Sequence, residues 1–227
     1  MSHDPRTATN TMTQRILCFG DSNTWGYDPQ GQSRFDEHTR WTRVLAKALG
    51  AGYEIIEEGL NGRTTVWDEP LESELASDKN GRKYLGPCLE SQTPLDGVIL
   101  MLGTNDLKQR FGVPASDIAL GVRALAGVVQ RSRSGRGNAA PPLLLMAPPP
   151  LAPLTEGMRL AEMFAGGEAK SRRFAALYAE VAAATGSEFF DTSTVIVSSP
   201  IDNIHFEAAE HRKLGEALAV RVRAWLA

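Results

Sequence analysis

Short apolar runs alternate with amphipathic segments along most of the chain. Five of these runs are typical of strands and span residues 15–19, 53–58, 97–102, 141–147 and 187–191. Between and after them, apolar side chains recur every three or four residues, which predicts helices around 41–49, 118–129, 174–181 and 214–225. Strands that alternate with helices favour a five-stranded parallel sheet with helices on both faces, so the sequence predicts an α/β fold.

Two long segments, 63–95 and 148–167, show little periodicity and are predicted to be loops. Each follows a predicted strand, and long loops in compact domains commonly form lids, the walls of a site or a contact surface. Residues 1–13 are mostly polar and are expected to form a flexible N-terminal tail, which leaves 14–227 as one folded domain.

The composition excludes several classes of protein. With 42% hydrophobic and 22% charged residues and a formal net charge of -3, the chain is not expected to bind nucleic acid. It contains no apolar run long enough to cross a bilayer, so we expect a cytoplasmic protein without a membrane partner. Two cysteines, Cys18 and Cys88, are too few for a disulfide scaffold, and Cys18 is expected to be a core residue. No cluster has zinc-ligand spacing, so neither a metal nor another cofactor is implied.

Polar and glycine-rich segments follow the predicted strands. Gly20-Asp21-Ser22-Asn23 follows the first, 59–64 the second and 103–106 the third, while 202–205 comes shortly after the fifth. In an open parallel sheet, ligands bind beyond the carboxyl ends of the strands. These segments are therefore expected to meet at one edge of the sheet.

Three of these residues match the parts of a serine hydrolase. A serine hydroxyl such as that of Ser22 is a weak nucleophile until a neighbouring base removes its proton. His205 can act as that base, and Asp202, three residues earlier, can hold the far imidazole nitrogen. The oxyanion that forms also needs donors, and the candidates are the backbone N–H groups of Ser22 and Gly62 and the side-chain amide of Asn105.

Each residue alone also has an ordinary structural explanation. Ser22 and Asn105 could cap helices, Gly62 could relieve a left-handed bend, and His205 could be a surface histidine. Their arrangement, each after its own strand, favours a common site instead. The other candidate bases are weaker, because both His38 and His211 are expected on solvated surfaces; the G-x-S-x-G elbow of the α/β-hydrolases is absent from the Ser22 segment.

The four segments resemble the conserved blocks of the GDSL, or SGNH, hydrolase family. FGDSNTWG, GLNGRT, LGTND and DNIH are similar to its four blocks in order, and the resemblance covers nearly the whole chain. It implies a three-layer α/β/α sandwich related to flavodoxin. It also implies Ser22, Asp202 and His205 as the catalytic triad, with Ser22, Gly62 and Asn105 as the oxyanion hole.

A narrower resemblance is to the bacterial arylesterase and acyltransferase branch, carried by IEEGLNGRTT, PPPLAP and GGEAKS. This branch implies short-chain acyl esters as substrates, some transfer of the acyl group to alcohols or peroxide, and a homo-oligomer whose neighbours help to wall the entrance. Asn23 departs from the Leu or Ile that often follows the serine in the wider family, so no role is assigned to it.

Trp25 is three residues past the predicted nucleophile. It could pack in the core, but the small residues around it favour an apolar wall for a short acyl group. Two other functions stay open at this point. One is a carbohydrate O-acetylesterase, and the other is a flavodoxin-like binding module without catalysis, which would leave Asn105, Asp202 and His205 unexplained.

Overall fold

A computed structural model describes residues 12–71 and 78–227 of the chain. The predicted tail, 1–13, lies almost entirely outside the described residues. In chain order the elements are β1 (Gln14–Gly20), α1 (Ser22–Trp25), β2 (Tyr27–Asp28), β3 (Ser33–Arg34), α2 (Trp41–Leu49), β4 (Tyr53–Gly59), α3 (Gly81–Ser91), β5 (Gly97–Met101), α4 (Ala115–Arg131), β6 (Leu143–Ala147), α5 (Gly167–Ser171), α6 (Phe174–Thr185), β7 (Glu188–Asp191) and α7 (Ala208–Trp225).

The predicted parallel sheet is confirmed. Five strands pair in parallel in the order β4-β1-β5-β6-β7, which is the flavodoxin-like order. Gly20 at the end of β1 pairs with both Gly59 of β4 and Met101 of β5, so these three strands end level with one another. Their following loops therefore start side by side, at the point where the strand order reverses.

Helices cover both faces of the sheet and enclose two apolar layers. Along β1, Leu17 and Phe19 enter the layer beneath α3, α4 and α6, whereas Ile16 and Cys18 enter the layer beneath α2 and α7. This alternation follows from the two-residue period of a strand, and it explains why a strand buried on both faces is apolar throughout. Cys18 is fully buried, as predicted, and burial raises the pKa of its thiol far above the usual range.

The prediction of a loop throughout 63–95 is wrong, because α3 occupies its second half. Asn80 caps this helix by accepting a hydrogen bond from the Arg82 backbone N–H at 3.0 Å. Leu85 and Leu89 are fully buried one turn apart. The helical period was short and was interrupted by Gly86 and Pro87, both poor helix formers, which concealed it in the sequence.

The prediction that His211 lies on a solvated face is also wrong. The last helix begins at Ala208, earlier than predicted, and its first turns pack against α2, where His211 is fully buried. The Trp41 backbone N–H donates to His211 Nδ1 at 3.3 Å, so this neutral imidazole caps the start of α2. Within the described residues its Nε2 has no hydrogen-bond partner.

Burial lowers the pKa of His211 to about 3, which makes the stability of the fold sensitive to acid. Between that value and the ordinary pKa of about 6.5, the unfolded state binds the extra proton, so stability falls as the pH falls. Denaturant unfolding at pH 7.5 and pH 5.0 should show the wild type losing about 2 kcal/mol more than His211→Asn, whose amide keeps an acceptor without titrating. His38→Asn, at an exposed position, is the control. Equal losses in wild type and His211→Asn would contradict this assignment.

Candidate active site

Ser22 lies just beyond the carboxyl end of β1, at the start of the one-turn helix α1. Asp21 caps this helix, since its side chain accepts a hydrogen bond from the Asn23 backbone N–H at 2.9 Å. Gly26 ends it in the left-handed conformation with φ 89° and donates its N–H to the Ser22 carbonyl. Ser22 is thereby held at the sheet edge with 6% of its surface exposed.

Helix α1 lies unusually close to the end of β4. A Cβ placed on Gly59 would lie 2.2 Å from the Trp25 backbone nitrogen, so a residue with a side chain does not fit at this position. The glycine that opens the second polar segment therefore lets the serine helix pack directly on the sheet edge.

A continuous chain of hydrogen bonds joins Ser22, His205 and Asp202. Ser22 Oγ lies 2.9 Å from His205 Nε2, although the two residues are 183 positions apart in the sequence. His205 Nδ1 lies 2.6 Å from Asp202 Oδ2. The structure thus brings together the three residues that the sequence predicted as a triad, in the order that proton transfer from serine to imidazole requires.

The second oxygen of Asp202 fixes the loop that carries the histidine. Its Oδ1 accepts hydrogen bonds from the backbone N–H groups of Ile204 at 3.0 Å and His205 at 2.9 Å. Burial raises the pKa of Asp202, but these hydrogen bonds and that from the His205 ring outweigh it and hold the pKa below its usual value. An ionised Asp202 favours a proton on Nδ1 and leaves Nε2 free to accept one from Ser22.

Backbone bonds close the histidine loop on itself. The Ser199 N–H donates to the His205 carbonyl at 2.7 Å, and the Asn203 N–H donates to the Ser199 carbonyl at 2.9 Å. Asn203 has a φ of 70°, in the left-handed region that asparagine tolerates better than most residues. Its side-chain amide donates to the Pro153 carbonyl, which ties this loop to the segment after β6.

Gly62 and Asn105, the predicted oxyanion donors other than Ser22, lie on two loops that are hydrogen-bonded to each other. Gly62 has a φ of 79°, which glycine adopts without strain. The Asn105 Nδ2 donates one hydrogen to the Arg63 carbonyl at 3.1 Å, and its second amide hydrogen is available to a ligand. Ser22, Gly62 and Asn105 all line the same cavity as His205, so the structure brings the predicted donors together.

The carboxylate of Asp106 joins the loop after β5 to the loop after β4. It accepts hydrogen bonds from both the backbone N–H and the hydroxyl of Thr65, with the N–H at 3.0 and 3.1 Å from its two oxygens. Asp106 is fully buried, and burial raises its pKa to about 7 against the opposing effect of these bonds. The 105–106 segment therefore donates a hydrogen bond to the 63–65 segment through Asn105 and accepts hydrogen bonds from it through Asp106.

The cavity at Ser22 has a volume of about 210 Å³. Its polar lining includes the five residues Ser22, Asn61, Gly62, Asn105 and His205. Its apolar lining consists of Tyr27, Leu160, Met163, Phe164 and Ile204. The site therefore combines hydrogen-bond donors with apolar side chains around a small space.

The predicted role of Trp25 as a wall of this cavity is not supported by the structure. Trp25 is absent from the lining, and the guanidinium of Arg34 lies over its ring at 5.2 Å. The short β2–β3 hairpin explains the difference, since it brings Arg34 to Trp25 and turns the chain so that Tyr27 reaches the site. The centres of the Tyr27 and His205 rings are 4.3 Å apart. The sequence did not predict this contact, because the hairpin that produces it was not predicted.

Asn23, to which no role was assigned from the sequence, connects α1 to the loop that carries His205 and to the start of α2. Its side-chain Nδ2 donates to the Ile204 carbonyl at 3.4 Å, next to the histidine. Its backbone carbonyl accepts a hydrogen bond from Trp41 Nε1 at 3.1 Å. A leucine or isoleucine at this position could not make the first contact.

A buried ion cluster, also missed in the sequence, lies behind the cavity wall. Lys108 lines the cavity, and its Nζ lies 3.3 Å from Glu69 Oε2. Arg110 Nη1 lies 2.8 Å from the other oxygen of the same carboxylate.

Among residues 12–71 and 78–227, no group of three or more His, Cys, Asp or Glu side chains is arranged to hold a metal ion. No helix in these ranges is long and apolar enough to cross a membrane.

The fold and the arrangement at its edge are those of a carboxylic ester hydrolase. A sequence model of the GDSL-like lipase/acylhydrolase family matches residues 18–213. The chain therefore belongs to this family. A comparison with curated protein sequences finds no match.

Several solved structures are similar over nearly the whole chain. The native aryl esterase of M. smegmatis is 45% identical, with a TM-score of 0.87, and the match covers 93% of this chain and 99% of that one. A carbohydrate acetylesterase from Sinorhizobium meliloti is 42% identical, with a TM-score of 0.87 and coverage of 94% and 100%. A carbohydrate acetylesterase family member from the same organism is 38% identical, with a TM-score of 0.88 and coverage of 94% and 99%.

Proposed function

We propose that this protein is a serine esterase that cleaves short-chain acyl esters through an acyl-enzyme on Ser22. The observation that carries the proposal is the hydrogen-bonded chain from Ser22 Oγ to His205 Nε2 at 2.9 Å and from His205 Nδ1 to Asp202 at 2.6 Å. It opens onto a cavity that Gly62 and Asn105 also line. Ser22, Gly62, Asn105 and His205 reach this cavity from four loops, which is the arrangement that acyl transfer requires.

The reaction divides into two steps. Ser22 Oγ attacks the ester carbonyl while His205 takes its proton, and the negative charge on the carbonyl oxygen is stabilised by the Ser22 and Gly62 N–H groups and the Asn105 amide. His205 then gives the proton to the leaving alcohol, and the C–O bond to that alcohol breaks. Water repeats the sequence on the acyl-enzyme, which releases the acid and restores the serine.

The size and lining of the cavity support a small acyl group. A space of about 210 Å³ lies below the usual range of 300–1,000 Å³ for drug-sized ligands. Tyr27, Met163 and Phe164 give it an apolar side. Aryl acetates and short alkyl esters are the substrates that this space fits best, and initial rates over acyl chains of increasing length test the proposal. A rate that rises with chain length would contradict it.

Acyl transfer to an alcohol or to peroxide is a further part of the proposal. The apolar lining around Ser22 would hold an alcohol better than water, so the acyl-enzyme would meet the alcohol more often than its mole fraction predicts. The ratio of new ester to acid in dilute aqueous alcohol measures this preference. A ratio equal to the mole fraction would count against transfer.

A carbohydrate O-acetylesterase is the second candidate. It is supported by the similarity to the acetylesterase of Sinorhizobium meliloti and by a larger cavity of about 920 Å³ that shares Arg159 and Phe164 with the cavity at Ser22. A sugar leaving group could extend into this space. Initial rates on an aryl acetate and on an acetylated sugar separate the two candidates.

Replacing Asn105 by alanine should slow the chemical step more than it weakens binding. Its free amide hydrogen would bond most strongly to the oxyanion, so kcat is expected to fall by about 10²–10³ with little change in KM. Asn138→Gly, at an exposed position with a φ of 63° that glycine adopts without strain, is the control. An effect confined to KM would remove Asn105 from the oxyanion site.

The homo-oligomer implied by the family resemblance stays a prediction. Sedimentation velocity on the purified protein measures it directly. A species at the monomer mass of 24.6 kDa across the micromolar range would contradict it.

A further inference from the structure

Arg63 is a buried cation next to the proposed oxyanion site that the mechanism above does not use. Only 2% of its surface is exposed, and it does not line the cavity at Ser22. No ion pair involving it occurs among the described residues. Burying a charge is costly unless other groups compensate, so this arginine needs an explanation.

Two aromatic rings and two backbone carbonyls contact the guanidinium, and the charges of Glu58 and Asp21 also favour its charged form, whereas its Nε has no hydrogen-bond partner within the described residues. It lies 4.1 Å from the centre of the Phe19 ring and 5.3 Å from that of Tyr84. Its Nη1 donates to the Gly20 carbonyl at 2.9 Å and to the Glu58 carbonyl. Gly20 ends β1 and Glu58 is the penultimate residue of β4, so the side chain joins the carboxyl ends of two strands.

The backbone of the same residue belongs to the loop that carries Gly62. The Arg63 N–H donates to the Leu60 carbonyl at 3.1 Å, which closes the turn around Gly62. The Arg63 carbonyl accepts one amide hydrogen of Asn105 at 3.1 Å. The turn geometry at Gly62 and the orientation of the Asn105 amide therefore both depend on the position of the Arg63 backbone.

We propose that Arg63 is the positioning residue of the oxyanion hole. Its guanidinium fixes the 60–63 turn to the strand ends beside Ser22, and its carbonyl holds the Asn105 amide so that the second hydrogen points at the reacting oxygen. Arg63 itself does not touch the substrate. The inference rests on the proposed function for its catalytic consequence, but the positioning of Asn105 can be measured without any turnover.

The test compares Arg63→Met with Arg15→Met. Arg15 is a matched control, because its Nη1 also donates to two backbone carbonyls, those of Gln92 and Pro94 at 2.6 and 3.0 Å, but at the opposite end of β1. Protein labelled with ¹⁵N-asparagine gives the side-chain amide signal of Asn105, which is assigned by its loss in Asn105→Ala. This signal should move in Arg63→Met and stay in place in Arg15→Met.

On an aryl acetate, Arg63→Met should lower kcat by about 10- to 100-fold and change KM by less than about threefold, because the donors remain but are misplaced. Adding Asn105→Ala should cost far less than the product of the two single losses, since both act on one site. An unmoved Asn105 signal, a normal kcat in folded Arg63→Met, or multiplicative losses would overturn the proposal.

Arg63→Lys decides the question if Arg63→Met does not fold. A lysine keeps the charge but lacks the planar, delocalised group that contacts both rings and two backbone carbonyls. It should still move the Asn105 signal and lower kcat at least about threefold. A folded Arg63→Lys with the wild-type signal and kcat would overturn the proposal, whereas a wild type without turnover on any short ester would overturn the proposed function instead.

Discussion

Replacing Ser22 by alanine is expected to lower kcat for a short aryl ester by a factor of at least about 10⁴ while leaving the fold intact. Without Oγ there is no atom to form the acyl-enzyme, and the hydrogen bond to His205 Nε2 at 2.9 Å is lost. The oxyanion donors remain, so a small residual rate above that in water is expected. Steady-state rates together with a thermal unfolding curve measure both parts of the prediction.

Ser193→Ala is the matched control for this variant. Ser193 is an exposed serine whose hydroxyl bonds to Asp191 at 2.7 Å beyond the end of β7, so its loss should not change kcat. A Ser22→Ala protein that keeps more than about 1% of the wild-type kcat would remove this hydroxyl from the mechanism.

Replacing Asp202 by asparagine is expected to lower kcat by about 10³–10⁴ through the wrong imidazole tautomer. The Ile204 and His205 N–H groups at 3.0 and 2.9 Å require an oxygen at the Oδ1 position, so the amide nitrogen would take the place of Oδ2. That nitrogen donates a proton, and His205 Nδ1 would have to accept it. Nε2 would then carry the hydrogen and could no longer take the proton of Ser22.

The control for Asp202→Asn is Asp191→Asn. Asp191 also accepts hydrogen bonds from a backbone N–H and a side chain two residues later, but it lies outside the cavity at Ser22. Rates across a pH series should show Asp191→Asn following the wild type. An Asp202→Asn protein with more than about a tenth of the wild-type kcat at every pH would contradict the orienting role of the carboxylate.

Much of the fold could be predicted because its signals are local. Strands buried on both faces require uninterrupted apolar runs such as that of β5, and glycines such as Gly50 and Gly186 follow helical periods. Helix α3 escaped prediction because its period is short and contains Gly86 and Pro87. The β2–β3 hairpin escaped because strands of two residues leave no alternation to recognise.

The triad was predictable because each member follows a strand that ends at the same edge. The residues around it were not, because their roles depend on the paths of loops. Trp25 and Tyr27 are both aromatic and close to Ser22 in sequence, yet only Tyr27 lines the cavity. His211 was placed on a surface because its charged sequence neighbours suggested solvent, whereas packing of α7 on α2 buries it completely.

The proposed function requires that Ser22 is the nucleophile and that His205 activates it. One measurement tests this directly: labelling with a fluorophosphonate, whose phosphorus bonds to the oxygen of an activated serine as its bond to fluoride breaks, followed by mass mapping of the tryptic fragments. We expect one label, on Ser22 in fragment 16–34, and almost none in His205→Ala. A label on another residue, or an active enzyme that takes up no label, would contradict it.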